Sequence, residues 1–142
     1  MDKKFISKSE QQTREVAHKF ASGLKRGDIV LLQGDLGAGK TAFVKGVVEF
    51  FHGDKSQVTS PTFTIVNEYE LENVVIYHFD LYRLEKQDEL YNIGFEEYFY
   101  SDAICFIEWP ERADNFFNED VYKIVIKKLS DKSREIMIED KK

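Results

Sequence analysis

The chain has 142 residues with 42% hydrophobic and 14% aromatic content, enough for the core of a single domain over 1–142. A net charge of −6 argues against a broad nucleic-acid-binding face and favours a protein partner or a small-molecule ligand. One cysteine excludes an internal disulfide and a thiolate metal cluster, and no run is long and apolar enough to be a leader or a membrane span, which points to the cytoplasm.

In chain order, Phe5-Ile6 predicts a short strand. Ser9 then reads as an N-cap with Gln12 as its capping-box partner. Val16, Phe20 and Leu24, with Thr13, Ala17 and Ala21, form an apolar stripe at helical spacing that ends near Gly23 to Gly27. Ile29 to Gln33 is a buried-strand run, and Ala42 to Phe51 reads as a helix stopped by His52-Gly53-Asp54. Between them stands Gly34-Asp35-Leu36-Gly37-Ala38-Gly39-Lys40-Thr41, a complete G-x-x-x-x-G-K-[ST] pattern. Its glycines let successive N–H groups turn toward a phosphate, Lys40 can reach the β/γ-phosphates, and the Thr41 hydroxyl can sit on Mg²⁺. The following helix adds its dipole to the anion site.

Pro61 makes the Val58–Thr64 segment extended or turning. Thr62 is there either a hydroxyl that senses Mg²⁺ and the γ-phosphate or part of a plain turn. Phe63 to Tyr69 and Val74 to Asp80 predict a hairpin about Glu72-Asn73. Glu85 to Asn92 and Phe95 to Tyr100 predict short helices, and Ala103 to Glu108 a buried strand in which Cys105 is a small hydrophobe. Val121 to Leu129 and Arg134 to Ile138 predict a closing antiparallel pair, and Glu139 to Lys142 a solvated tail.

Two acids, Asp80 and Glu108, end apolar strands at the carboxyl edge, where open α/β sheets bind ligands. They are the candidates for the metal and water-orienting roles that a phosphate loop needs. Arg83, Arg112 and Arg134 are candidates for neutralising phosphate charge. His78 stands two residues before Asp80 and could support it; His18 and His52 read as solvated and helix-end. Trp109, before Pro110, reads equally as a lid, a partner contact or core. No Asn-Lys-x-Asp sequence is present, which argues against an ordinary GTPase.

The loop 34–41, Ser60-Pro61-Thr62-Phe63, His78-Phe79-Asp80-Leu81-Tyr82-Arg83-Leu84 and Ile107-Glu108-Trp109-Pro110-Glu111 occur in the order seen in the TsaE (YjeE) family, which the whole chain resembles. The resemblance implies a P-loop NTPase-like three-layer α/β sandwich, mostly parallel with antiparallel additions. It also implies an ATP- and Mg²⁺-dependent accessory ATPase, weak alone. Such a protein serves threonylcarbamoyl modification of adenosine 37 in tRNAs that read codons beginning with A. It acts with TsaD and TsaB and meets tRNA only through that complex. On this resemblance Leu36, Gly37, Ala38, Gly39, Lys40 and Thr41 hold the phosphates, and Thr41 and Glu108 ligate Mg²⁺. Asp80 supports metal or water, Lys40, Asp80 and Glu108 carry the chemistry, and Glu10 and Arg134 are outer nucleotide contacts. A small-molecule or nucleotide kinase and a nucleotide-gated binding module without useful hydrolysis stand as alternatives. Residues 85–100 lack the arginines of a kinase lid.

Overall fold

A seven-stranded sheet in the order β1-β7-β6-β2-β5-β4-β3 forms the middle layer of the computed structural model. The structure describes residues 2–35, 37–59, 65–117 and 120–141, with 114–116 through their backbone alone. The strands are β1 (Lys3–Ser7), β2 (Ile29–Gln33), β3 (Val66–Glu70), β4 (Val75–Asp80), β5 (Ile104–Glu108), β6 (Tyr122–Lys128) and β7 (Arg134–Glu139). β6, β2, β5 and β4 run parallel. β3 pairs antiparallel with β4 at one edge, while β7 and β1 continue antiparallel from β6 at the other. The expected mostly parallel sheet with antiparallel additions is therefore the fold observed.

Helices α1 (Glu10–Ala21) and α2 (Lys40–Phe50) cover one face, where Phe43, Val44, Val47 and Val48 of α2 pack on Val30, Leu32 and Phe106. Burying each such side chain contributes about 1.5–3 kcal/mol. The other face carries α3 (Asp88–Asn92) and α4 (Phe95–Phe99), with Leu90, Phe95 and Phe99 against Phe79, Cys105 and Ile107. Every residue of β5 is buried, as a central parallel strand requires. Burial there pushes the Cys105 thiol up to about 12, in keeping with an inert core residue.

Several local expectations change in detail. Ser9 caps α1 by accepting from the Gln12 amide, but the Gln12 side chain takes the Lys8 amide instead of that of Ser9. The helix expected from Glu85 begins only at Asp88. The last residues are not all solvated: Glu139 ends β7, and the Lys141 ammonium donates to the buried Asp28 carboxylate at 2.7 Å. Among the described residues no helix is long and apolar enough to cross a membrane.

Candidate functional site

The site forms where the parallel strands end. Side chains alternate along a strand, so Ile76, His78 and Asp80 share the face of β4 that looks toward α1 and α2. Phe106 and Glu108 share the same face of β5. In the sheet register Asp80 lies beside Glu108, and Glu108 beside Leu32 of β2. The two strand-end acids thus arrive next to each other and next to the loop that follows β2.

That loop needs its glycines for two different reasons. Gly37 and Gly39 adopt φ of 79° and 109°, the left-handed region that side chains disfavour. A Cβ on Gly34 would stand 2.6 Å from the Ile126 carbonyl oxygen, so there the need is for close approach to β6. Gly39 precedes α2 without a side-chain cap, and no acid sits in the first turn of α2. The first amides of that helix therefore present an uncompensated donor end suited to an anion.

Lys40 is 5% exposed. Its ammonium donates to the Gly34 carbonyl at 2.6 Å, lies 3.7 Å from Glu108 Oε1, and stands 4.1 Å from the centre of the Trp109 ring. Desolvation lowers its pKa, opposed by the negative charges of Glu108, Asp80 and Glu111. Burial likewise raises the Asp80 carboxyl, although the Tyr82 amide donates to its Oδ1 at 2.9 Å and favours the ionised form. Glu108 is buried, and its Oε2 accepts from Nε2 of His78, which is itself fully buried.

A cavity of about 310 Å³ is walled by Gly37, Gly39, Lys40, Thr41, Asp80 and Glu108, with Trp109 at its side. A second, of about 610 Å³, brings together Glu10, Thr13, Lys132 and Arg134, and Gly39 lines both. Arg134 donates through Nη1 to the Ser130 carbonyl at 2.8 Å and through Nη2 to the Gly37 carbonyl at 3.3 Å, tying the β6–β7 turn to the loop. Glu10 lies 3.6 Å from both Arg14 and Lys45. The cavities together have the size of an ordinary small-molecule site.

Of the candidates read from the sequence, Gly37, Gly39, Lys40, Thr41, Asp80 and Glu108 converge on the first cavity, and Glu10 and Arg134 on the second. Ala38 is buried beneath the loop, its amide donating to the Asp35 carbonyl. Leu36 and the Ser60–Thr64 segment with Thr62 lie outside the described residues. Arg83 is exposed, and Arg112 lies over the Tyr82 ring 5.7 Å from its centre. Tyr69 escaped the sequence reading. It pairs with Ile76 across the β3–β4 hairpin, which sets it diagonally beside His78, and its hydroxyl meets His78 Nδ1 at 2.9 Å. Placing the hairpin turn at Glu72-Asn73 already contained that neighbour relation.

Two carboxylates and a hydroxyl in one cavity are hard oxygen donors, the set that suits Mg²⁺. Asp80, whose charge burial disfavours, is the kind of group a cation would stabilise. Fewer protein ligands than a closed cage leave room for phosphate oxygens and water, as Mg²⁺ usually requires.

A mostly parallel α/β sheet with a glycine-rich strand–loop–helix turn and two acids at the adjoining strand ends defines an α/β protein built around a crevice at the carboxyl ends of its strands. The sequence model of threonylcarbamoyl adenosine biosynthesis protein TsaE matches residues 7–136, and the chain belongs to that family. The tRNA threonylcarbamoyladenosine biosynthesis protein TsaE of Rickettsia conorii is 40% identical over 126 residues, covering 89% of this chain and 71% of that protein. The Bacillus subtilis protein of the same name is also 40% identical over 126 residues, 89% of this chain and 78% of its own. The crystal structure of Bacillus subtilis YdiB superposes with a TM-score of 0.79 at 33% identity, over 97% of this chain and 84% of that one.

Proposed function

We propose that the chain, acting as one domain, is a cytoplasmic Mg²⁺-dependent ATPase of tRNA threonylcarbamoyladenosine synthesis. In this reading it works with the TsaD–TsaB complex, reaches tRNA only through it, and serves adenosine 37 of tRNAs that read codons beginning with A. The observation that carries the reading is the convergence of Lys40, Thr41, Asp80 and Glu108 on one cavity at the glycine-rich loop. Family membership and the printed names of the relatives support the pathway.

The residues divide the work as follows. Gly37 and Gly39 curve the backbone around the phosphates, with Leu36 before them and Ala38 between them entering by motif position. Lys40 moves its ammonium from the Gly34 carbonyl to the β/γ-phosphate oxygens and offsets charge there. Thr41 and Glu108 would hold Mg²⁺, which would supply charge neutralisation for the transferred group. Asp80 stands beside Glu108, where it would accept from the attacking water or support the metal. The bond broken joins the γ-phosphorus to the β–γ bridging oxygen, the oxygen of water takes its place, and ADP and phosphate leave. Arg134 and Glu10 contact the outer part of the nucleotide.

Leu90, Phe95 and Phe99 are packed into the core, so α3 and α4 are sheet cover and not a free lid, which counts against the kinase reading. The test is ATP hydrolysis alone and with purified TsaB–TsaD, beside Lys40→Ala. The expected result is a low basal rate that the partners raise and that the variant abolishes. No stimulation together with no binding to those partners would overturn the pathway assignment.

A further inference from the structure

Behind Glu108, outside the cavity that takes the phosphates, runs a line of buried polar side chains for which catalysis has so far offered no use. His78 is 0% exposed, Glu108 2% and Tyr69 3%. The Tyr69 hydroxyl lies 2.9 Å from His78 Nδ1 and 3.3 Å from the Thr59 carbonyl oxygen. Burial raises the tyrosine pKa, so the hydroxyl keeps its proton. The Thr59 carbonyl can only accept, so the hydroxyl donates to it and lies against Nδ1 through its oxygen. On the far side of the ring, Nε2 is hydrogen-bonded to Glu108 Oε2. The tyrosine thus braces one side of the imidazole, and the carboxylate on the other side is divided: Oε2 belongs to the imidazole, and Oε1 faces Lys40 at 3.7 Å.

That last distance exceeds the roughly 2.7–2.9 Å of a direct charge-assisted hydrogen bond. A buried carboxylate beside a buried ammonium would otherwise close the gap. The imidazole restrains it, and the space kept between Glu108 and Lys40 is part of the cavity.

We propose that Tyr69 and His78 are positioning residues for Glu108, holding its carboxylate in the one rotamer that leaves Oε1 open to a nucleotide-bound divalent cation; the inference rests on the Mg²⁺–nucleotide reading of the site. Without the pair, the Glu108 carboxylate turns from this position and the cation loses a ligand. Outer partners of ligating groups are worth about 10–100-fold in metal affinity elsewhere.

The experiment measures affinity for a non-hydrolysable ATP analogue by calorimetry with Mg²⁺ and with chelator, on the full chain. His78→Leu fills the space without a donor, His78→Gln restores an N–H near the place of Nε2, and Tyr69→Phe keeps the ring and removes the hydroxyl. The expected result is that His78→Leu loses roughly 10–100-fold of the Mg²⁺-dependent gain while the chelator value stays at the parent's. His78→Gln recovers most of that gain, and Tyr69→Phe falls several-fold short of the parent. A merely structural role would lower both affinities together and leave the glutamine variant no better than the leucine one, and that pattern overturns the proposal. If His78→Leu does not fold, Tyr69→Phe decides: a parental Mg²⁺ gain there overturns the proposal. A parent protein without any Mg²⁺-dependent gain overturns the reading of the site and this inference with it. A parental gain that all variants retain overturns this inference alone.

Discussion

The ammonium of Lys40 lies 4.1 Å from the centre of the Trp109 ring while donating to the carbonyl of Gly34, its own loop. The lysine is thus turned inward, and the chain's single tryptophan is its neighbour. Trp109 holds a left-handed φ of 58°, and its ring also meets Tyr82 at 4.8 Å. A cation over an indole contributes about 0.5–2 kcal/mol. A phosphate entering the loop would outweigh that contact and draw the ammonium away. Trp109 emission should therefore shift on nucleotide addition, and the shift should disappear in Lys40→Ala. Saturating nucleotide, verified by calorimetry, that leaves the emission unchanged would rule this movement out.

Asp80 gives a prediction with a sign. Its folded pKa is raised, chiefly by desolvation, so the native state binds the proton more tightly than the unfolded chain does. Stability then falls as pH rises from the ordinary carboxyl value of 3.8 through the raised value. Asp80→Asn keeps an acceptor for the Tyr82 amide and removes the charge. In the absence of nucleotide, the asparagine variant should melt above the parent at neutral pH, and the two curves should meet at acid pH below the unfolded value. The same variant should lose ATP hydrolysis. An asparagine variant less stable than the parent at pH 7 would show that the Lys40 charge outweighs the desolvation of Asp80.

What could be read in advance follows from the range of each signal. The loop 34–41 is a contiguous pattern flanked by β2 and α2, and its local chemistry is complete in the sequence. Asp80 and Glu108 were identifiable as strand ends, because each closes an apolar run. Their adjacency was not, since it depends on β4 pairing with β5 in the register Asp80 to Glu108. Nothing local fixes the order of parallel strands joined by crossovers. The late start of α3 has a similar cause: a five-residue helix lies below nucleation length and forms only because Leu90 packs into the core. Lys141 could not be tied to Asp28 because their pairing spans 113 positions.

Helices α1 and α2 meet at Gly46, and this contact is testable by size alone. A Cβ there would lie 2.6 Å from the Arg14 carbonyl oxygen and 2.7 Å from the Ala17 methyl. Backbone cannot yield as a flexible side chain does, so the helices must part. Gly46→Ala should cost about 1–3 kcal/mol in urea unfolding despite the better helix propensity of alanine. Because α2 carries Lys40 and Thr41 at its start, nucleotide affinity should weaken as well. An unfolding midpoint equal to or above the parent's would mean that the helix pair accommodates a methyl group without cost.

Arg134 offers a way to separate the proposed outer nucleotide contact from the proposed metal site. Its guanidinium spans the β6–β7 turn and the Gly37 carbonyl, and it lines the larger cavity with Glu10. It lies outside the cavity that gathers Thr41, Asp80 and Glu108. If it contacts the nucleotide there, Arg134→Ala should weaken binding by about tenfold, or ~1.4 kcal/mol. The loss should be equal with Mg²⁺ and with chelator, unlike that of a variant at Glu108. Arg134→Lys keeps the charge but not the fork that serves Ser130 and Gly37 at once, so it should recover only part of the loss. The ratio of affinities with and without Mg²⁺ is the deciding quantity. A selective loss of the Mg²⁺-dependent part in Arg134→Ala would place this arginine at the γ-phosphate, and an unchanged affinity would remove it from the nucleotide site.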